Sequence, residues 1–255
     1  MPLHIYLSPH LDDAVLSCGG LIANQVAEGN GVTVLTVFAG DPGPGPLSDF
    51  AQALHQLWGG SPNLVGDRRT EDRLACGRLG ASVVHMLLPD AIYRHGPDAG
   101  VRYASEEAIF GPLHPRDLDV LEEIHQRLSS ACPPEAVVYC PLGLGFHVDH
   151  RLTRAAAERL GRPLWYYQDF PYAARGGEVP AELGPPPGRE HLVPLSPEEI
   201  ESWAAAIAEY RSQVPMFWSD VYALYEEIRR FHDGVGGVRL IAPADEGTAL
   251  SSSSG

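Results

Sequence analysis

At 255 residues and 44% hydrophobic content, the chain is long enough to bury a sizeable core and short enough for one large domain. A formal charge of −15 argues against nucleic acid or an anionic membrane surface as a partner, because phosphate binding needs a surplus of Lys and Arg on some face. Four well-separated cysteines without a C-x-x-C pair, no basic and apolar leader, and no uncharged apolar run near the ~20 residues of a membrane helix together predict a reduced, cytoplasmic protein.

Short runs rich in Val, Ile, Leu and Tyr predict strands at residues 3–7, 32–38, 83–88, 136–140 and 164–167. Helix-period patterns lie between them, so the alternation predicts an α/β fold: a Rossmann-like, doubly wound, mostly parallel sheet with helices on both faces. The first helix follows Asp13 and places Val15, Cys18, Ile22 and Val26 on one face. Gly19 and Gly20 inside it each cost about 1 kcal/mol against Ala, which predicts close packing against a neighbour. Further helices are predicted at 69–79, 116–128 and 149–160, the last ending at Gly161. Two more, at 197–211 and 219–231, form a C-terminal helical portion. Three Gly- and Pro-rich segments, 40–66, 90–115 and 171–194, are predicted as loops that act as lids. The whole is expected to be one α/β domain over residues 1–250, with the SSSSG tail at 251–255 disordered.

The first predicted strand runs into SPHLDDAVLSCGG at residues 8–20, and the fourth into GLGFHVDH at residues 143–150. His10, Asp12 and Asp13 within four residues repel one another and compete for protons unless a cation uses them together. In the strand order 3-2-1-4-5, strands one and four are neighbours and ligands sit outside their carboxyl ends. Connectivity therefore predicts that the two clusters face each other. Two imidazoles and one carboxylate, from His10, Asp13 and His150, would hold a divalent metal and leave a position open, the pattern of catalytic zinc. Asp12 is then the candidate general base. His147, three residues before His150, would protonate a leaving amine or stabilise an oxyanion. Asp149 has two readings: it accepts a hydrogen bond from an imidazole and sets its tautomer, or it caps the following helix. Asp13 has a structural reading as well, since the helix dipole favours a carboxylate there without any metal.

At these residues the sequence resembles the PIG-L/LmbE-like family of zinc-dependent N-acetylsugar deacetylases, which carries P-H-P-D-D-E after its first strand and H-x-D-H after a later one. Here they read PHLDDA at 9–14 and HVDH at 147–150. The resemblance implies the same assignments: His10, Asp13 and His150 on zinc, Asp12 as base, His147 as electrostatic stabiliser or acid. RRTEDRLACGRLGA at 68–81 is similar to the family's R-x-x-E helix and makes Arg68 a substrate-binding candidate. LPDAIYR at 88–94 places Asp90 near the sugar, and EYRSQ at 209–213 looks like the family's Y-x-S-Q element. Two departures stand out: Leu11 and Ala14 replace the motif's Pro and Glu, and LGLGF before His147 offers no Tyr, which some relatives place there as an oxyanion donor.

The implied function is metal-dependent hydrolysis of an N-acetyl group on an amino-sugar-containing small molecule, with Zn2+, or Fe2+ or Co2+, activating the attacking water. The alternatives are an amidase cleaving a larger acyl group from a glucosamine-thiol conjugate, and a non-catalytic sugar- or metal-binding relative. A dinucleotide-binding oxidoreductase is disfavoured, because PHLDDA lacks G-x-G-x-x-G and puts carboxylates where a pyrophosphate would sit. Aromatic and charged residues between 93 and 110 are expected to set specificity. Self-association into a homo-oligomer is compatible with the sequence.

Overall fold

The structure, a computed structural model, describes residues 1–96 and 100–244. The tail expectation at 251–255 and the last residues of the proposed domain lie outside the described residues. In chain order the strands are β1 (Leu3–Ser8), β2 (Gly31–Thr36), β3 (Ser82–His85), β4 (Val137–Pro141), β5 (Trp165–Tyr167), β6 (Arg189–Val193) and β7 (Val238–Ala242). The helices are α1 (Asp13–Ala27), α2 (Asp49–Leu57), α3 (Leu64–Arg78), α4 (Glu106–Ile109), α5 (Asp117–Ala131), α6 (Val148–Glu158), α7 (Pro197–Ile207), α8 (Val214–Phe217) and α9 (Val221–Val235). Among the described residues no helix is long and apolar enough to cross a membrane.

The strands form one sheet in the order β3-β2-β1-β4-β5-β7-β6. The first five run parallel, with Tyr6 of β1 opposite both Val34 of β2 and Tyr139 of β4. β7 joins antiparallel to β5, and β6 antiparallel to β7. The order reverses between β2 and β4 about the central β1, so the switch point lies at the carboxyl ends of β1 and β4. Val, Ile, Leu and Tyr dominate these inner strands because both faces are covered. On one face Val15, Ile22 and Trp203 pack with Tyr6 and Val34; on the other Ile124, Leu128 and Leu152 pack with Leu7 and Val138.

The glycine pair in α1 meets the expectation of close packing. A Cβ on Gly19 would run into the Trp203 indole, and one on Gly20 into Leu195. Trp203 of α7 then reaches over the helix and donates from Nε1 to the Val15 carbonyl at 2.8 Å.

The three segments expected to be loops carry structure of their own. Residues 40–66 contain α2, residues 90–115 contain α4 and a short turn of 3-10 helix (Ala91–Tyr93), and residues 171–194 contain β6. DFAQALHQL is helical because Ser48 accepts from the Ala51 amide at 3.1 Å and Asp49 sits in the first turn. REHLV is an edge strand that alternates without a buried apolar face, so periodicity alone hides it.

Candidate active site

The turn after β1 is stapled from within. Ser8 Oγ donates to the His10 carbonyl at 2.6 Å and accepts from the Ala14 amide at 3.0 Å, while Asp13 Oδ2 accepts from the His10 amide at 2.7 Å. The Pro9 carbonyl accepts from Phe38 N at 2.9 Å, tying the turn to the chain beyond β2. Asp12 is the last residue before α1, yet its side chain caps nothing. It is left for the cavity, with Oδ2 3.6 Å from Arg68 NH2.

The turn after β4 is built on positive φ angles at Gly143, Gly145 and Phe146. Gly145 is required twice over, by φ of +85° and by the Tyr172 ring, which lies 2.7 Å from where a Cβ would stand. The missing Tyr before His147 is therefore accompanied by a Tyr from another element, which meets the His150 ring edge-on at 6.1 Å between centroids. α6 is capped by His147, whose Nδ1 accepts from the Asp149 amide at 3.2 Å. Of the two readings of Asp149, capping thus falls to its neighbour.

The two turns meet. Asp13 Oδ2 lies 3.1 Å from His10 Nδ1 and 3.3 Å from His150 Nε2. The far nitrogen of each imidazole faces a buried carboxylate: His10 Nε2 is 3.1 Å from Asp149 Oδ2, and His150 Nδ1 is 2.6 Å from Asp169 Oδ1. With the far nitrogens donating to carboxylates, each ring that loses its second proton to make way for a bound cation keeps its lone pair on the nitrogen beside Asp13, Nδ1 of His10 and Nε2 of His150. Two imidazole nitrogens flanking one carboxylate oxygen, each ring oriented by a further carboxylate, is a donor set that fits a divalent metal.

His147 also lies in this cluster, since one nitrogen each of His10, His147 and His150 fall within 4.8 Å of one another. A second grouping, His10 with Asp90 and Asp149, is geometrically close but chemically saturated. Asp149 Oδ1 pairs with Arg94 NH1 at 2.7 Å and Oδ2 accepts from the Ala91 amide at 2.9 Å. Arg94 in turn lies 3.3 Å from Asp117, which also accepts from Tyr103 at 2.6 Å. A fully buried Asp149 is held ionised by this guanidinium, against burial, with its carboxyl well below the usual range.

The remaining electrostatics divide the cluster. Burial and the neighbouring Asp13 push the Asp12 carboxyl up to about 7, with Arg68 opposing them. Burial acts the same way on Asp13, but His150 and His10 overcome it and hold that carboxyl well below its ordinary value. Burial would lower the His150 imidazole, yet Asp13 and Asp169 raise it to about 10. His147 is pulled well below its ordinary value by burial and by the His10 charge. Asp90, which lies 3.7 Å from His10 Nε2 and accepts from the Ile92 amide at 3.1 Å, is raised by burial.

His10, Asp12, Asp13, Arg68, Asp90, His147 and His150 line one cavity of about 490 Å3, with Asp149 and Asp169 behind the His10 and His150 rings. Arg68 and Asp90, the two substrate-binding candidates, line it; Arg68 also stacks on Trp58, 4.7 Å from the ring centroid. Arg68 is placed by α3, which is tied to the EYRSQ segment through Tyr210 donating to Asp72 at 2.7 Å and Ser212 Oγ donating to Glu71 at 2.6 Å. That tie brings Gln213 to the cavity. Of the specificity segment 93–110, Glu106, Ile109 and Phe110 reach the cavity; Tyr93 and Tyr103 are buried, on His55 and Asp117 respectively.

Asp169 is the functional candidate that sequence reasoning missed. It follows β5 in a QDFP stretch with no motif, and its second oxygen accepts from the Leu144 amide at 3.0 Å, bracing the β4 turn. The signal was topological: the carboxyl end of the strand beside β4 is where a carboxylate backing His150 must come from.

Comparison with known proteins places this geometry in context. A family model described as PIG-L: GlcNAc-PI de-N-acetylase matches residues 5–160. A 2'-N-acetylparomamine deacetylase of Niallia circulans is 33% identical over 226 residues, covering 82% of this chain and 80% of that protein. The zinc-inhibited form of teicoplanin deacetylase Orf2 superposes with a TM-score of 0.81 at 29% identity, covering 96% of this chain and all of that one. The A40926 pseudoaglycone deacetylase Dbv21 does so with a TM-score of 0.70 at 31% identity, covering 96% and 99%.

Proposed function

Because the chain belongs to the PIG-L family, we propose that it is a metal-dependent hydrolase that removes an N-acetyl group from an amino-sugar-containing small molecule. The observation that carries this reading is the placement of His10 Nδ1 and His150 Nε2 on Asp13 Oδ2, with each ring backed by a buried carboxylate. These three residues would hold the ion. Zinc is the proposed metal, and iron(II) or cobalt(II) suit the same donors. A divalent ion there supplies Lewis-acid activation of water and of the amide carbonyl.

The chain's own groups do the rest. Asp12, with no helix-capping duty and a carboxyl raised towards neutrality, takes a proton from the water that attacks the acetyl carbon. Arg68 beside it limits that rise and lines the same cavity. With Nδ1 accepting a backbone amide, a neutral His147 carries its proton on Nε2 and offers a donor to the oxyanion as it develops. The C–N bond then breaks, the proton returns to the leaving nitrogen, and acetate and a free amino sugar result. Asp149 and Asp169 are positioning residues that hold the His10 and His150 rings.

The test is acetate release from N-acetylglucosamine and its glycosides by the zinc-loaded protein. The reading expects stoichiometric acetate and free amine, abolished by Asp12→Ala with metal retained. Metal binding without acetate release from any acetamido sugar would contradict it.

A further inference from the structure

The cavity has a polar floor and an apolar wall, and the two come from different parts of the chain. The floor is the two turns with Arg68, Asp90 and Gln213. The wall comes from three short helices set into connecting segments: Phe50, Leu57 and Trp58 from α2 and the residue after it, Phe110 following α4, and Met216 and Phe217 from α8. Phe217 packs against the core on one face of the sheet and Phe50, Trp58 and Phe110 against a third apolar cluster, while Leu57 at 61% and Met216 at 40% are exposed. Among the described residues, Glu106 is the one acidic residue lining the cavity away from the floor.

An acetamido sugar alone does not account for that wall. Each sugar hydroxyl turned towards Phe, Leu or Trp would give up water without a replacement partner. A polyamine or aminocyclitol attached to the sugar would meet the same apolar surface and a single carboxylate. An alkyl or aryl group, by contrast, gains by leaving water against this surface. Apolar side chains from three separate insertions, exposed at Leu57 and Met216 and half-buried at Phe110, line one side of a catalytic cavity and mark a binding surface.

Resting on the deacetylase reading, we propose that the face formed by α2, α4 and α8 is a subsite for an apolar aglycone. The substrate is then an N-acetylated sugar joined to an alkyl or aryl group, with the acetamide on the floor and the aglycone on the wall. Arg68 stands at the boundary, its guanidinium on the Trp58 ring and its charge beside Asp12.

The experiment compares methyl and hexyl glycosides of N-acetylglucosamine and an N-acetylated aminoglycoside as substrates of the zinc-loaded protein. The same glycosides are titrated calorimetrically into Asp12→Asn. The expected result is kcat/KM at least about tenfold higher for the hexyl than for the methyl glycoside. Binding should be tighter by a similar factor, and the ratio should fall towards unity in Leu57→Ser/Met216→Ser. Both substituted side chains are exposed, and a melting curve confirms that the double variant folds. Equal values for the two glycosides, or preference for the aminoglycoside, overturn the aglycone subsite while leaving deacetylation standing. If no substrate releases acetate, the hydrolase reading fails by itself. The calorimetric comparison still decides the subsite: tighter hexyl binding supports it, and equal or absent binding overturns it.

Discussion

The floor and the wall of the cavity are built on opposite principles. Floor groups are buried, short-range and mutually satisfied: His10, Asp13, His150, Asp149 and Asp169 form one chain of contacts of 3.3 Å or less, anchored on adjacent strand ends. Wall groups sit on helices of four to nine residues in long connections, half-buried or exposed, held by apolar contact. The difference teaches where each property resides. Chemistry is fixed by the strand order, which a sheet cannot change without refolding, whereas selectivity rests on insertions that can vary without disturbing it.

The sharpest way to break this division is at Asp12. Asp12→Asn keeps the shape of the floor and removes its proton acceptor, so kcat should fall by roughly 10²–10⁴ while metal content stays at the native level. Loss of metal in this variant would show that Asp12 is a ligand and that the division of labour with Asp13 is wrong.

Beneath the floor lies the scaffold that aims it. Trp203→Ala would empty the space against Gly19 and lose both indole hydrogen bonds to α1. It should cost about 3–5 kcal/mol of stability in denaturant unfolding. A change under about 1 kcal/mol would mean α1 is not held by that contact.

The backing carboxylates should matter less than the ligands they orient. Asp169→Asn is expected to weaken metal affinity by roughly 10–100-fold, measured by competition with a chelator, and to lower kcat less than Asp12→Asn does. Unchanged affinity would mean that the His150 ring is held by packing alone.

The smallest effect is expected at the opposite end of the strand that carries His10. His4 is buried against the Tyr139 hydroxyl at 3.0 Å with no carboxylate partner among the described residues, and burial lowers its imidazole below the ordinary value. A folded-state value below the unfolded one means that the unfolded chain binds the proton more readily. Stability present above the ordinary value of about 6.5 is therefore lost as pH falls through it. The melting temperature should drop on acidification from about pH 7.5 to 5.5, and by less in His4→Gln. An identical drop in both proteins would assign the loss elsewhere.

The sequence revealed the floor better than the wall for physical reasons. The five parallel strands and their 3-2-1-4-5 order were legible, the central ones because strands buried on both faces are continuous apolar runs. PHLDDA and HVDH were legible because titratable groups crowded at strand ends ask for a common partner. β7 escaped notice because VRLIA is short and follows a helix directly, and α2 because the Gly- and Pro-rich residues before it mask nine helical residues. Asp169 escaped for another reason: a residue that acts through another has no spacing of its own, and only the closed sheet reveals its partner.

The central claim is that two turns about 135 residues apart in sequence form one metal centre. The measurement that tests it most directly is metal content per chain, by elemental analysis after dialysis, of the native protein beside His150→Ala. The account predicts about one divalent ion per native chain and a loss of most of it in the variant, with α-helical content preserved. A native chain that binds no metal when supplied with zinc, or a variant that keeps the full complement, would contradict it.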